Sequence, residues 1–181
     1  GVQPQLTCNV CNTGSIQING LEGPYTMVLI DGMPIVSALS SVYGFMGIPN
    51  DMIKRIEVVK GPASTLYGSE AVAGLVNIIT RDPSIRNQLG FSQTLSGYGE
   101  LNTDVTANLK LGKAQALFGV NHFNLNRKWD VNNDDFADVA LQHRISVFNK
   151  WTFQRRSQLP ASLAWRYVYE DRWGGQLQFR P

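Results

Sequence analysis

Charge and long apolar runs are both scarce in this 181-residue chain. Only 17% of its residues are charged and its formal net charge is +2, whereas ordinary soluble domains carry about 25% charged residues. With 43% hydrophobic residues it is too apolar and too weakly charged for a disordered chain. No apolar stretch approaches the roughly 20 residues of a membrane-spanning helix. The near-neutral balance removes the dense Lys/Arg footprint on which nucleic-acid binding leans. Groups for catalysis are equally sparse, because there are two histidines, His122 and His143, and two cysteines. Both histidines fall in alternating segments and read as wall residues. Gly61 and Gly68 frame a loop with no Gly-Lys-Ser/Thr after it, and neither a GxGxxG fingerprint nor a nucleophile elbow is present. The chain is therefore read as a non-enzyme.

What is abundant points to strands. Seventeen Gly, eight Phe, six Tyr and four Trp accompany the few charges, with no long helical period. So little charged surface suggests that part of the molecule faces lipid or a partner rather than water. The start, Gly1-Val2-Gln3-Pro4, has neither a basic segment nor an apolar one and is not a signal peptide. The end, Phe179-Arg180-Pro181, reads as the opening of another strand, which favours a fragment.

Two halves differ in pattern. Residues 1–81 carry four basic and five acidic groups, and residues 82–181 carry twelve and nine. In the first half short apolar runs, Met27-Val28-Leu29-Ile30, Ile56-Glu57-Val58-Val59 and Leu75-Val76-Asn77-Ile78-Ile79, are closed by Gly, Asp or Thr and read as buried strands. Asn50-Asp51 before Met52-Ile53-Lys54 is a cap for a short helical turn, and Gly61-Pro62 and Tyr67-Gly68-Ser69 punctuate the chain. The expectation is a small mixed α/β unit.

After Asp82-Pro83 the period becomes two. In residues 101–111 the odd positions are Leu, Thr, Val, Ala, Leu and Leu, and the even ones are Asn, Asp, Thr, Asn and Lys. Residues 139–153 and 161–173 separate in the same way, and residues 89–97 and 115–126 do so more weakly. One reading is a soluble antiparallel sheet packed on a core. The other is the start of a transmembrane β-barrel, with apolar residues towards lipid and aromatics near the interfaces. A two-residue turn at Gly112-Lys113, a long loop at residues 127–138 and a short turn at 155–160 fit the alternation of periplasmic turns and outer loops.

The motifs carry a family resemblance. Residues 53–71, Ile-Lys-Arg-Ile-Glu-Val-Val-Lys-Gly-Pro-Ala-Ser-Thr-Leu-Tyr-Gly-Ser-Glu-Ala, lead into Gly74-Leu75-Val76-Asn77-Ile78-Ile79-Thr80, and Val28-Leu29-Ile30-Asp31-Gly32-Met33-Pro34 precedes them. Together they resemble the plug domain of TonB-dependent outer-membrane receptors. The resemblance implies a plug over residues 1–81, incomplete at its N-terminus, a linker over 82–87, and about five strands of a roughly 22-stranded barrel over 88–181. It also implies energy-coupled uptake of a scarce ligand such as an iron chelate, haem or cobalamin. The partners would be the TonB energy-transducing complex, the rest of the receptor chain, outer-membrane lipid and a surface lipoprotein. The location would be the outer membrane of a Gram-negative bacterium. An outer-membrane binding or adhesion receptor without transport stays open as an alternative, as does a soluble binding sheet.

Site expectations follow in the same terms. The resemblance places ligand contact on an outward plug loop, with Val36, Ser37, Tyr43, Phe45 and Met46 as candidates. Arg55, Glu57, Lys60, Glu70 and Arg81 are candidates for ion pairs with the barrel wall, where desolvation keeps such contacts specific and releasable rather than strong. Cys8 and Cys11, in a C-x₂-C, suit a disulfide in an oxidising compartment, a ligand or metal contact, or free thiols. Asp130, Asp134, Asp135 and Asp138 form an acidic outer loop able to hold Ca²⁺ weakly. An EF-hand is rejected, because Asp135 stands where glycine is required and Leu141 where the bidentate Glu belongs.

Overall fold

The computed structural model describes residues 2–8, 13–21, 23–35, 46–62, 67, 71–82, 88–153 and 161–179. The chain divides into two compact units, Gly1–Met46 with Ile53–Thr80, and Gly47–Met52 with Arg81–Pro181. The division falls after Thr80, next to the expected boundary at Arg81. Residues 47–52, expected in the first unit, belong to the second. Most of the expected linker, residues 83–87, lies outside the described residues.

The first unit begins with an antiparallel hairpin, β1 (Val2–Cys8) and β2 (Thr13–Ile18). A four-stranded sheet follows, made of β3 (Thr26–Ile30), β4 (Met33–Pro34), β5 (Ile53–Lys60) and β6 (Gly74–Thr80) in the order β4-β3-β6-β5. Strands β3 and β6 pair in parallel, and the two outer pairings are antiparallel. The sequence explains the order, because continuous apolar runs belong to strands covered on both faces. Val28, Leu29, Val76 and Ile78 are all buried. Met27, Leu29, Ala71 and Leu75 form one cluster with Tyr67 against it, and Ile18, Ala73 and Val76 form another with Ile16. The charged strand β5 takes an edge of this sheet, where Lys and Arg discourage further pairing.

Asn50 and Asp51, expected to cap a helical turn at Met52-Ile53-Lys54, instead form the turn themselves, a 3-10 turn of three residues, Asn50–Met52, closed by Met52 N donating to Pro49 O at 2.9 Å. The β-branched Ile53 then starts β5 directly.

The second unit bears out the period-two reading. Strands β7 (Gln88–Leu95), β8 (Glu100–Leu111), β9 (Ala114–Leu125), β10 (Leu141–Phe153) and β11 (Ala161–Trp173) form one sheet with sequential neighbours, all antiparallel. Gly112 and Lys113 join β8 to β9 as a two-residue hairpin, Gly112 supplying φ +63°. Two expectations need correction. Val139 and Ala140 stay in the loop, where the preceding amides of Ala137 and Asp138 donate to Gly175 O and Trp129 O. Among the described residues after Trp173 no strand begins, because Gly175 adopts φ +139° and Leu177–Phe179 coils into a 3-10 turn; Arg180 and Pro181 lie outside the described residues.

Candidate functional site

In the first unit a polar chain ties the motif residues together. Asp31 and Gly32 link β3 to β4 with φ +51° and +79°, the pair of left-handed residues that a type I′ turn requires. The Asp31 carboxylate then reaches across the sheet and accepts from Thr80 N at 2.8 Å and Thr80 Oγ1 at 2.7 Å. Asn77 Oδ1 accepts from Gly32 N at 3.0 Å, and Asn77 Nδ2 donates to Glu57 Oε2 at 3.2 Å. Glu57 also pairs with Arg55 at 2.7 Å. One carboxylate and one amide therefore clasp the turn, the end of β6 and the edge strand β5. Charge-assisted bonds of this kind to backbone amides exceed neutral ones in strength. The clasp fixes the place where the chain leaves this unit.

In the second unit the two faces of the sheet have opposite chemistry. Outward rows run Phe91-Val105-Val120-Val147-Tyr167 and Leu89-Ala107-Phe118-Asn149-Trp165. Leu89 is 85% exposed, and Phe91, Leu163, Trp165, Tyr167 and Tyr169 are also exposed. A contiguous apolar face of this extent is foreign to a monomer in water. Strands β8 to β11, of 12 or 13 residues, exceed the roughly 9–11 residues a tilted strand needs to cross a bilayer.

The opposite face is polar. Asn121 Nδ2 donates to Asn102 Oδ1 at 2.7 Å and to Asp104 Oδ1 at 2.6 Å. Gln142 donates to Glu170 at 2.7 Å, Arg172 pairs with Glu170, and the Arg144 guanidinium lies 5.1 Å from the Phe123 ring centre. Arg172 and Glu170 pair along β11, and the other contacts cross strands, as suits a wall turned away from lipid. Asn102, Asp104, Gln142, Arg144, Glu170 and Arg172 fall on the polar face that the alternation marks, but none was named as a site residue. Their even spacing along the alternating strands was the available signal.

The predicted site residues fare unevenly. Val36, Ser37, Tyr43, Phe45, Cys11 and Glu70 lie outside the described residues, as does the side chain of Cys8. Met46 sits half-buried in a turn just before Gly47. Arg55 and Glu57 pair with each other along β5, and Lys60 is exposed at its end. Arg81 donates its amide to Met52 O at 2.8 Å, and Arg81 and Asp51 line one polar cavity of about 390 Å³ with Gln88, Thr106 and Asn108. The acidic loop does not gather its carboxylates. Asp130 accepts from the amides of Asp134 and Asp135, Asp134 from that of Phe136, and Asp138 from that of Val131. Among the described residues no group of three His, Cys, Asp or Glu is arranged to hold a metal ion.

At the end of the sheet away from Gly112-Lys113 the connections are stitched together. Trp129 Nε1 donates to Tyr98 O at 2.8 Å, the rings of Tyr98 and Trp129 meet edge to face at 5.9 Å, and Arg127 lies 4.3 Å from the Trp129 ring centre. Phe136 bridges to Gln176 on the other side.

Comparison with known proteins agrees with both units. Residues 1–75 match the family model described as TonB-dependent Receptor Plug Domain. The ferric enterobactin receptor PirA of Pseudomonas aeruginosa is 40% identical over 85 residues, 41% of this chain and 12% of that protein. The vitamin B12 transporter BtuB of Vibrio vulnificus is 42% identical over 69 residues, 38% of this chain and 11% of that protein. The chain thus spans about an eighth or less of these relatives. In structure it resembles the pyoverdine outer membrane receptor FpvA of Pseudomonas aeruginosa, with a TM-score of 0.72 and 13% identity over 97% of this chain and 24% of that one. At that identity the likeness concerns the fold.

Proposed function

Since residues 1–75 match the plug-domain family model of TonB-dependent receptors, we propose that the full-length protein is an outer-membrane receptor that imports a scarce, bulky ligand. The inward step is driven by an energy-transducing TonB partner. An iron chelate or a corrin is the ligand class, in keeping with the ferric enterobactin and vitamin B12 relatives. The single observation that carries the reading is the succession of a plug-family unit and a five-stranded meander with an apolar outer face and a polar inner one.

Uptake tests this reading. The full-length receptor, expressed in a Gram-negative strain stripped of its own receptors, is expected to accumulate radiolabelled ferric enterobactin or cobalamin in energised cells. Accumulation should vanish with a protonophore or without TonB. Binding of either ligand with no energy-dependent accumulation would instead make the protein a binding receptor.

A further inference from the structure

Residues 48–52 do not behave like the rest of the chain around them. They leave the first unit after Met46 and lie in a trough on the inner face of the sheet. The trough is built from one cross-strand row, Gly90-Thr106-Gly119-Phe148, and from Ser146 in the next row. Both glycines are there for space. A Cβ on Gly119 would overlap Met52 Sδ and lie 3.1 Å from Pro49 Cγ, and one on Gly90 would overlap Thr106 and lie 3.1 Å from Asp51 Oδ2. Gly47 meets the wall in the same way, because its Cβ would stand 2.5 Å from Ser146 Cβ. Glycine inside a strand marks close approach by another segment.

The segment is buried where it lies. Met52 is fully buried, Ile48 and Pro49 nearly so, and Met52 O accepts the amide of Arg81, the first residue after the first unit. Ile53 and Thr80, the residues that next enter and last leave that unit, face each other in the β5–β6 register. Both strands of the connection thus start from one fixed point.

We propose that residues 48–52 are a permanent seat on the barrel wall, a pivot that stays in place while the remainder of the plug is displaced during import. At Gly90 and Gly119 the wall has no side chain to fill the space, so departure would expose Ile48, Pro49 and Met52 and leave a hole behind. The proposal rests on the import reading for its moving part, whereas the seating can be tested without it.

The contact supplies its own crosslink. Met52 Sδ stands at about bonding distance from a Cβ at position 119, so the path Cβ-Cγ-Sδ-Cβ has the connectivity of a Cβ-S-S-Cβ disulfide. In full-length receptor with its other cysteines replaced, Met52→Cys with Gly119→Cys is expected to crosslink fully under mild oxidation in outer membranes. Ferric enterobactin or cobalamin uptake, whichever the reduced receptor shows, should stay within about twofold on crosslinking. A crosslink that fails to form, or an uptake loss of roughly tenfold that reduction reverses, would overturn the proposal.

Met52→Cys alone, with Gly119 intact, gives a second readout that needs no ligand. Its N-ethylmaleimide labelling should stay below about a tenth of that in denatured protein, equally in energised and protonophore-treated cells. Labelling that appears only in energised cells would show the segment leaving its seat and would leave import standing. Low labelling with no uptake of either probe would count against the import reading alone.

Discussion

Replacing Gly74 with alanine is expected to disrupt the first unit of the protein strongly. Gly74 opens β6 with φ +140°, a conformation that L-residues avoid. An added Cβ would overlap the carbonyl oxygen of Val59 and lie 3.2 Å from its carbon and 3.3 Å from Ile18 Cδ1. The obstacle is backbone, not the end of a flexible side chain. That backbone is held, because β5 and β6 are paired along their lengths and Gly61 N donates to Ala73 O at 3.1 Å. Strain and overpacking each cost about 1–3 kcal/mol, so the sum is roughly 2–6 kcal/mol. That is a large share of the roughly 5–15 kcal/mol that holds a whole domain. The control is Gly20→Ala, where φ is +81° but the space around the Cβ is open. Limited proteolysis of the full-length receptor in outer membranes should cut the Gly74→Ala plug rapidly and the Gly20→Ala plug slowly. Equal resistance would contradict this packing.

Arginine at Tyr167 should cost about 2–4 kcal/mol, the penalty for a cation facing the bilayer midplane, whereas arginine at its neighbour Val168 should cost less than about 1 kcal/mol. The two positions lie halfway along β11 and face opposite ways, Tyr167 paired with Val147 on the outer face and Val168 with Ser146 on the inner. Thermal unfolding of the full-length receptor in lipid vesicles, followed by its change in electrophoretic mobility, measures the difference. A soluble sheet would give the reverse order or no difference, because exposed Tyr167 would then meet water.

The second unit was the more legible half, and the reason is geometric. Period-two alternation is set by the pleat itself, so Leu101 to Leu111 and Ala161 to Trp173 could be assigned face by face. The ends were less legible because they depend on partners far along the chain. Val139 is β-branched and alternates correctly, yet the amides just before it are claimed by Trp129 and Gly175. In the first unit, the apolar runs located β3 and β6, and Asp31-Gly32 was visible as part of a motif. Its chemistry was not, since the Asp31 bonds to Thr80 span 49 positions. Gly119 and Gly90 were passed over for a similar reason. The alternation gives no reason for a glycine at either position, and the approach of Met52 and Asp51 explains why a side chain is missing there. Arg55 and Glu57 are two apart on β5, and they pair along that strand.

The most direct test of the central claim, that this sheet is membrane wall, is a spin-label scan of residues 163–169 in the full-length receptor reconstituted in bilayers. The account predicts that labels at 163, 165, 167 and 169 collide freely with oxygen, which concentrates in lipid, and poorly with a water-soluble nickel chelate. Labels at 164, 166 and 168 should lack that oxygen preference. Nickel access at the odd positions would contradict the account, since the face bearing Leu163, Trp165, Tyr167 and Tyr169 would then be in water.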